Sequence, residues 1–331
     1  MNYPKPFHLC DLSDFKVLVT GGAGFIGSNL VEYLLQHGVK HLRVIDNLST
    51  GYERNLKDFL RDPRFEFFRA DIRNAEDCRK ACEGMTHISH QAALGSVPRS
   101  LKEPATTNDV NVGGFVNILT AARDEGVKRV VYASSSSVYG DEPTLPKVEE
   151  RVGKPLSPYA VSKKANELYG EIFADSYGMS IAGLRYFNIF GPRQDPQGAY
   201  AAVIPLFMYK ILTGEQPVID GDGMQSRDFT YVENAVQANV KALTAKLPEG
   251  RHEVFNIAVG QRFTVNDLYE KLAELLNIDT PALHGPARQG DVRNSLADIR
   301  KAERLISYNP DVDFHEGLKR TLHYFRDYYL K

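Results

Sequence analysis

Tyr159 and Lys163 lie four apart in Ser157-Pro158-Tyr159-Ala160-Val161-Ser162-Lys163, and a helix is expected to begin just after the proline. That spacing puts both side chains on one helix face. A tyrosine of ordinary pKa, near ~10, cannot act as a base at neutral pH, whereas a neighbouring cation favours the phenolate. Lowering the pKa by ~3 units requires roughly 4 kcal/mol of differential stabilisation. In isolation, such a pair is ordinary helix surface. The run Ser134-Ser135-Ser136-Ser137-Val138-Tyr139-Gly140 gives it more weight. It follows the strand-like Arg129–Ala133, so its hydroxyls should emerge at the carboxyl edge of a sheet, where they could orient a substrate hydroxyl and relay its proton.

A second constellation sits near the N-terminus. Strand-like Lys16–Thr20 runs into Gly21-Gly22-Ala23-Gly24-Phe25-Ile26-Gly27 and then directly into a helical pattern. The segment fits Gly-x-Gly-x-x-Gly from Gly22 and Gly-x-x-Gly-x-x-Gly from Gly21. Glycines here permit a tight turn, close backbone approach to a pyrophosphate and close helix-on-strand packing. The free N–H groups and the helix dipole then hold the phosphates. Asp46 follows the second strand, nineteen residues beyond Gly27, where a carboxylate accepts both ribose hydroxyls of a dinucleotide. The same carboxylate repels a 2′-phosphate, which favours NAD over NADP. The positive ring of a bound nicotinamide would join Lys163 in favouring the Tyr159 phenolate.

The elements that must position these residues read as an alternation. Candidate strands Lys16–Thr20, His41–Ile45, Phe65–Arg69, Thr86–His90, Arg129–Ala133 and Ile181–Tyr186 alternate with helical patterns at Phe25–His37, Ala75–Cys82 and Val110–Glu125. Right-handed crossovers and a parallel sheet covered on both faces follow. After Tyr186 the alternation stops and proline- and glycine-rich turns mix with short helices such as Ile204–Thr213 and Val265–Leu276. The fold expected is α/β, a Rossmann-type doubly wound parallel sheet with a smaller, mixed α/β C-terminal lobe. Residues 1–187 form the dinucleotide domain, with returning segments near 229–257, and 188–331 form the substrate lobe.

With 331 residues, 43% of them hydrophobic and 25% charged, the chain has ordinary globular composition and needs no disulfide or metal staple. A net charge of −2 excludes a generally basic nucleic-acid surface. No apolar run is long enough to span a membrane, and the N-terminus has no signal-peptide core, so a cytoplasmic enzyme is expected. Cys10, Cys78 and Cys82 read as buried small hydrophobes. No cysteine or histidine spacing suggests a metal site, and His90, at a strand end, reads as structural.

Taken together, these residues resemble the extended short-chain dehydrogenase/reductase family, in particular its nucleotide-sugar 4-epimerases. The resemblance runs from Thr20–Gly27 through Asp71-Ile72, Gln91-Ala92-Ala93, Asn111, Ser135, Tyr159/Lys163 and Arg185-Tyr186-Phe187-Asn188 to Arg227-Asp228-Phe229. It implies a tightly held NAD contacted by Gly21, Gly24, Phe25, Ile26, Gly27, Asp46, Asn47, Asp71, Ile72, Gln91, Ala92, Ala93, Asn111, Ser134, Tyr159, Lys163 and Tyr186. It also implies that Tyr159 takes the proton of a sugar 4-hydroxyl, that Ser135 bridges substrate and tyrosine, and that Ser136 assists. Relatives that dehydrate the sugar carry Thr-Asp-Glu where this chain has Ser135-Ser136-Ser137, which argues against a 4,6-dehydratase.

The same resemblance implies a UDP-sugar substrate held through Asn188, Arg227, Arg288 and Arg293, with Ala202, Val203 and Val218 lining the nucleotide. Gly95, Ala202 and Ser295 stand where epimerases restricted to glucose and galactose carry lysine, asparagine and a bulky tyrosine. All three changes remove volume, which would admit an N-acetyl group that a dense pocket could absorb only at ~1–3 kcal/mol. UDP-N-acetylglucosamine is therefore the expected substrate. Plain UDP-glucose, a uronate, a 4-reductase reaction and a silent NAD-binding sensor are the alternatives. Tyr169, Phe173 and Tyr177 on the Tyr159 helix suggest a core or subunit contact, and relatives that pair this helix with Val110–Glu125 imply a homodimer.

Overall fold

The computed structural model describes residues 3–198, 201–287 and 293–329. Seven parallel strands form its main sheet: β1 (Lys16–Thr20), β2 (His41–Asp46), β3 (Phe65–Arg69), β4 (His87–His90), β5 (Arg129–Ser135), β6 (Ile181–Tyr186) and β7 (His252–Ile257). Their spatial order is β7-β6-β5-β4-β1-β2-β3. The order reverses between β1 and β4, and such a switch point opens a crevice beyond the carboxyl ends of the strands. Residues in β4, β6 and most of β5 are buried throughout, as expected of strands covered on both faces.

The helices on the two faces follow from local chemistry. The long helix Pro158–Tyr177 starts where the Ser157 hydroxyl accepts the Ala160 N–H, carries Pro158 in its first turn and stops at Gly178 in the left-handed conformation (φ 67°). This start fixes Tyr159 in the first turn and Lys163 one turn later. The segment 109–125 departs from a single α-helix: Asp109–Gly113 is π-helical and Gly114–Asp124 is α-helical. The wide turn lets buried Asn111 leave the helix ladder and bind elsewhere, a common reason for a π-bulge.

Helix Val232–Thr244 returns to cover β4, β5 and β6, and β7 extends the sheet beside β6. A separate apolar cluster, with Phe190, Phe207, Tyr231, Leu268, Phe314 and Phe325 among its members, forms the core of the C-terminal part. Cys78 and Cys82 are buried in the sheet-side core, whereas Cys10 is exposed, so the expectation of three buried thiols is corrected for Cys10. Among the described residues, no helix is long and apolar enough to cross a membrane, and no three metal-ligating side chains cluster.

Candidate functional site

A cleft of about 550 Å³ opens at the carboxyl ends of β1, β2, β4, β5 and β6. Gly21, Gly24 and Gly27 line it together with Phe25 and Ile26, so the three-residue glycine spacing is the one that faces the cleft. Gly22 instead packs on Val44, where a Cβ would come within 2.6 Å of the valine side chain. A Cβ on Gly27 would lie 2.3 Å from the Gly21 carbonyl oxygen. Gly21 itself has φ +67°, with Ala92 N 2.7 Å from any added Cβ. Only glycine fits these positions, and the turn brings bare backbone to the mouth of helix Phe25–Gln36, as a pyrophosphate requires.

Asp46 ends β2 and is nearly buried. One carboxylate oxygen accepts the Ala23 N–H at 3.0 Å and the other the Leu48 N–H at 2.8 Å. Burial pushes its carboxyl up, against the pull of those two N–H groups. Each oxygen keeps a lone pair for a further donor. Asn47 donates to Asp71 at 2.8 Å, and Arg73 clamps the same carboxylate at 2.8 Å, which holds Asp71 well below the usual carboxylate range. Asn47, Asp71 and Ile72 all face the cleft, as do Gln91, Ala92 and Ala93 beyond β4.

The cleft floor carries a closed polar ring. Asn239 donates to the Tyr186 hydroxyl at 2.6 Å, Tyr186 donates to Gln91 Oε1 at 3.1 Å, and Gln91 Nε2 donates back to Asn239 Oδ1 at 2.9 Å. Asn239 belongs to the returning helix Val232–Thr244 and was not anticipated; nothing local in the sequence marks it. His90 is buried, bonded through Nδ1 to Thr20 Oγ1 at 2.9 Å, and burial lowers it to about 3. It is a neutral structural residue.

Ser134, Ser135, Ser136, Tyr159 and Lys163 share one wall of the cleft. Lys163 is buried and donates to the Ala133 carbonyl at 2.7 Å, and burial lowers it to about 8. Its ammonium lies 5.9 Å from the Tyr159 ring centroid. Burial pushes the Tyr159 phenol up, and its hydrogen bond with the Ser135 hydroxyl pulls it part of the way back. In the protein without cofactor, burial thus opposes the phenolate, a contribution that the residue spacing does not show. Ser137 was also missed. Its N–H reaches Ser135 Oγ at 3.1 Å and its hydroxyl lies 2.9 Å away. With those donors filling the acceptor sites of Ser135, the Ser135 proton is left to point at Tyr159.

Asn111 is brought to the site but not into the cleft. Its carboxamide accepts the Leu94 N–H at 2.8 Å and donates to Ser162 Oγ at 3.1 Å, bracing the Leu94–Gly95 loop against the Tyr159 helix. Gly95 and Asn188 line the cleft, whereas Ala202, Val203, Val218, Arg227, Arg293 and Ser295 do not. Three of these gather nearby: Ser295 N donates to the Ser226 carbonyl at 3.0 Å, Arg227 donates to the same carbonyl at 2.9 Å, and Ser226 N donates to the Arg293 carbonyl. The Arg293 guanidinium pairs with Asp222 at 2.9 Å on the exposed surface, so the structure does not bring it to the site as expected. Arg288 lies outside the described residues.

The glycine cradle, Asp46 and the floor ring fit an NAD molecule: the cradle excludes any side chain, and the carboxylate offers free acceptors. Residues 17–258 match the model of the NAD dependent epimerase/dehydratase family. A UDP-glucose 4-epimerase from Mycolicibacterium smegmatis is 38% identical over 317 residues, covering 94% of this chain and 99% of the relative. Among solved structures, a UDP-N-acetylglucosamine 4-epimerase from Methanobrevibacter ruminantium, determined with UDP-N-acetylmuramic acid, superposes with TM-score 0.90 at 40% identity, covering 95% of this chain and 99% of its own. A Thermus thermophilus UDP-glucose 4-epimerase in complex with NAD gives 0.84 at 36%, covering 94% and 99%. The cofactor is NAD, the enzyme is of the nucleotide-sugar 4-epimerase type, and the chain belongs to the NAD dependent epimerase/dehydratase family.

Proposed function

We propose that the protein interconverts UDP-N-acetylglucosamine and UDP-N-acetylgalactosamine by inverting carbon 4. Gly21, Gly24, Gly27, Asp46 and Asp71 would hold NAD, with Lys163 at its nicotinamide ribose. When bound, NAD supplies the two-electron acceptor and donor that inversion at a carbinol carbon needs. The chain's own residues would move the proton. Tyr159 Oη, starting as the phenolate, would take it from the sugar 4-hydroxyl to become the phenol and later return it; the Ser135 hydroxyl would donate to the phenolate before the transfer, and Ser137 would keep that hydroxyl aimed. Burial opposes a phenolate here, so the positive charges around Tyr159 must more than offset it.

The observation that carries the choice of sugar is the space at Gly95. A Cβ built there meets nothing within 4 Å, on the same cleft that holds Tyr159 and Ser135. The likeness to the Methanobrevibacter enzyme supports the same reading. Gly95→Lys should cut kcat/KM for UDP-N-acetylglucosamine by about tenfold to a hundredfold, the cost of overpacking, and leave UDP-glucose within about threefold. Undiminished turnover of the acetylated sugar in Gly95→Lys excludes the widened-pocket reading, whereas a wild-type protein that inverts only UDP-glucose, the substrate named for the Mycolicibacterium and Thermus relatives, excludes the acetylated substrate itself.

The expected dimer has a surface to match. Val161, Leu168 and Ile172 project from one face of helix Pro158–Tyr177, and Leu101 lies on the neighbouring helix Val97–Lys102; all four are more than half exposed. Phe173 is buried; Tyr169 and Tyr177 are exposed, but Tyr177 lies under the Arg123 guanidinium, away from this face. A contiguous apolar patch of this kind marks a protein contact. Ile172→Glu should convert the dimer to a monomer in solution scattering; a wild-type protein that already scatters as a monomer refutes the assignment.

A further inference from the structure

The second wall of the cleft belongs to the stretch 188–195, and it is attached unevenly. Its base is fixed to helix Phe25–Gln36. Arg193 pairs with Glu32 at 2.5 Å between two largely buried side chains, Arg193 Nη1 donates to the Ser28 carbonyl at 3.0 Å, and Asn29 donates to the Pro192 carbonyl at 3.1 Å. Beyond this base the chain turns at Arg193 (φ 70°) and carries Gln194 and Asp195 along the cleft. Its tip reaches the opposite wall at one point: the Tyr52 hydroxyl donates to Asp195 Oδ2 at 2.6 Å, while the other Asp195 oxygen accepts the Gln197 N–H at 2.9 Å.

Tyr52 sits on the loop that leaves Asp46, and this loop is itself pinned to the glycine turn. Tyr52 N donates to the Ala23 carbonyl at 3.0 Å and Asn55 donates to the same oxygen at 2.9 Å. A Cβ added to Gly51 would come within 2.9 Å of Ala23. The Arg54 guanidinium stacks 3.8 Å above the Tyr52 ring and holds the phenol in its orientation. Both ends of the bond therefore rest on rigid bases, and both residues line the cleft. The bond closes a loop of protein around the space between the glycine turn and the 188–195 stretch.

We propose that Tyr52 and Asp195 form a latch that retains the dinucleotide between turnovers, so that the cofactor behaves as a resident group rather than an exchanging substrate. The proposal rests on the reading that NAD occupies this cleft. Neither residue touches the proton-transfer set, so the latch bears on cofactor lifetime and not on the chemical step. A hydrogen bond to a carboxylate in a partly desolvated wall is among the stronger ones, and its loss acts mainly on departure.

The test uses the intact purified protein loaded with NAD and no sugar, with mass spectrometry following exchange of bound NAD for isotope-labelled NAD. Tyr52→Phe keeps the ring and its stacking and should speed exchange roughly tenfold, with NAD content per chain falling after gel filtration. Asp195→Asn keeps an acceptor and should have a smaller effect. The double variant should exchange no faster than Tyr52→Phe alone, because the two changes remove one interaction. Unchanged exchange in Tyr52→Phe, or additive effects in the double variant, overturns the latch. Because no sugar is present, faster exchange in a protein that inverts no UDP-sugar would uphold the latch while defeating the proposed reaction.

Discussion

Tyr159→Phe is expected to lower kcat for inversion at carbon 4 by about 10²–10⁴-fold, the usual weight of one positioned acid–base group, which corresponds to ~3–5 kcal/mol of barrier. The variant keeps the ring, the Ser157 cap that starts the helix and the Lys163 bond to the Ala133 carbonyl, so NAD content and melting temperature should stay at wild-type values. KM should change much less than kcat, because the lost group acts on a proton rather than on binding. Three other titratable groups in or beside the cleft are engaged elsewhere. The Tyr186 hydroxyl is closed into the ring with Gln91 and Asn239, His90 is held neutral against Thr20, and the Asp71 carboxylate is clamped by Arg73. Product analysis by NMR of the sugar after extended incubation measures the loss. A fall of less than about threefold means that the proton travels by another route.

Local signals carried the catalytic wall and the glycine turn, and both were legible in the sequence. A cap residue, a proline and a four-residue step suffice to place Tyr159 and Lys163, and three glycines between a strand and a helix suffice for the cradle. The strand limits drawn from β-branched runs match β1, β3 and β6 residue for residue. What escaped depends on long-range contact. Asn239 reaches Tyr186 and Gln91 from a helix far along the chain, and Asp195 meets Tyr52 across a cleft. Ser137 was in view as part of a serine run, but its bond to Ser135 arises only because the chain turns into a 3₁₀ segment capped by Ser135. The π-helical turn at Asp109–Gly113 was invisible because apolar periodicity does not register one extra residue in a turn. The opposition of burial to a Tyr159 phenolate escaped for a related reason: sequence shows that an ammonium is near, but not that the phenol is desolvated.

Glu167→Ala should be the most destabilising single change near the site. Glu167 and Arg185 are both almost fully buried and form a bidentate pair, Nε to Oε1 at 2.8 Å and Nη2 to Oε2 at 2.9 Å. Ser134 donates to Glu167 Oε1 at 2.8 Å, and Arg185 Nη1 donates to the Glu149 carbonyl at 3.0 Å. The pair thus ties the catalytic helix to the ends of β5 and β6. Removing the carboxylate leaves a guanidinium buried without its counter-charge, at a cost of about 3–5 kcal/mol, and Tm should fall by roughly 4–7 °C. Released from its acceptor, Ser134 should also loosen the wall beside Ser135, so kcat should fall more than KM rises. Burial raises the Glu167 carboxyl, but the hydrogen bonds and charge of Arg185 more than offset this and hold it below its ordinary value. The pair's contribution is therefore complete above the unfolded glutamate value of about 4.3 and is lost as the pH falls through the lower folded value. The apolar double variant Glu167→Met/Arg185→Met separates the two possible origins of the loss. If the orphaned charge is responsible, the double variant should recover most of the stability. If it melts as low as Glu167→Ala, the attraction within the pair is itself holding the helix to the sheet.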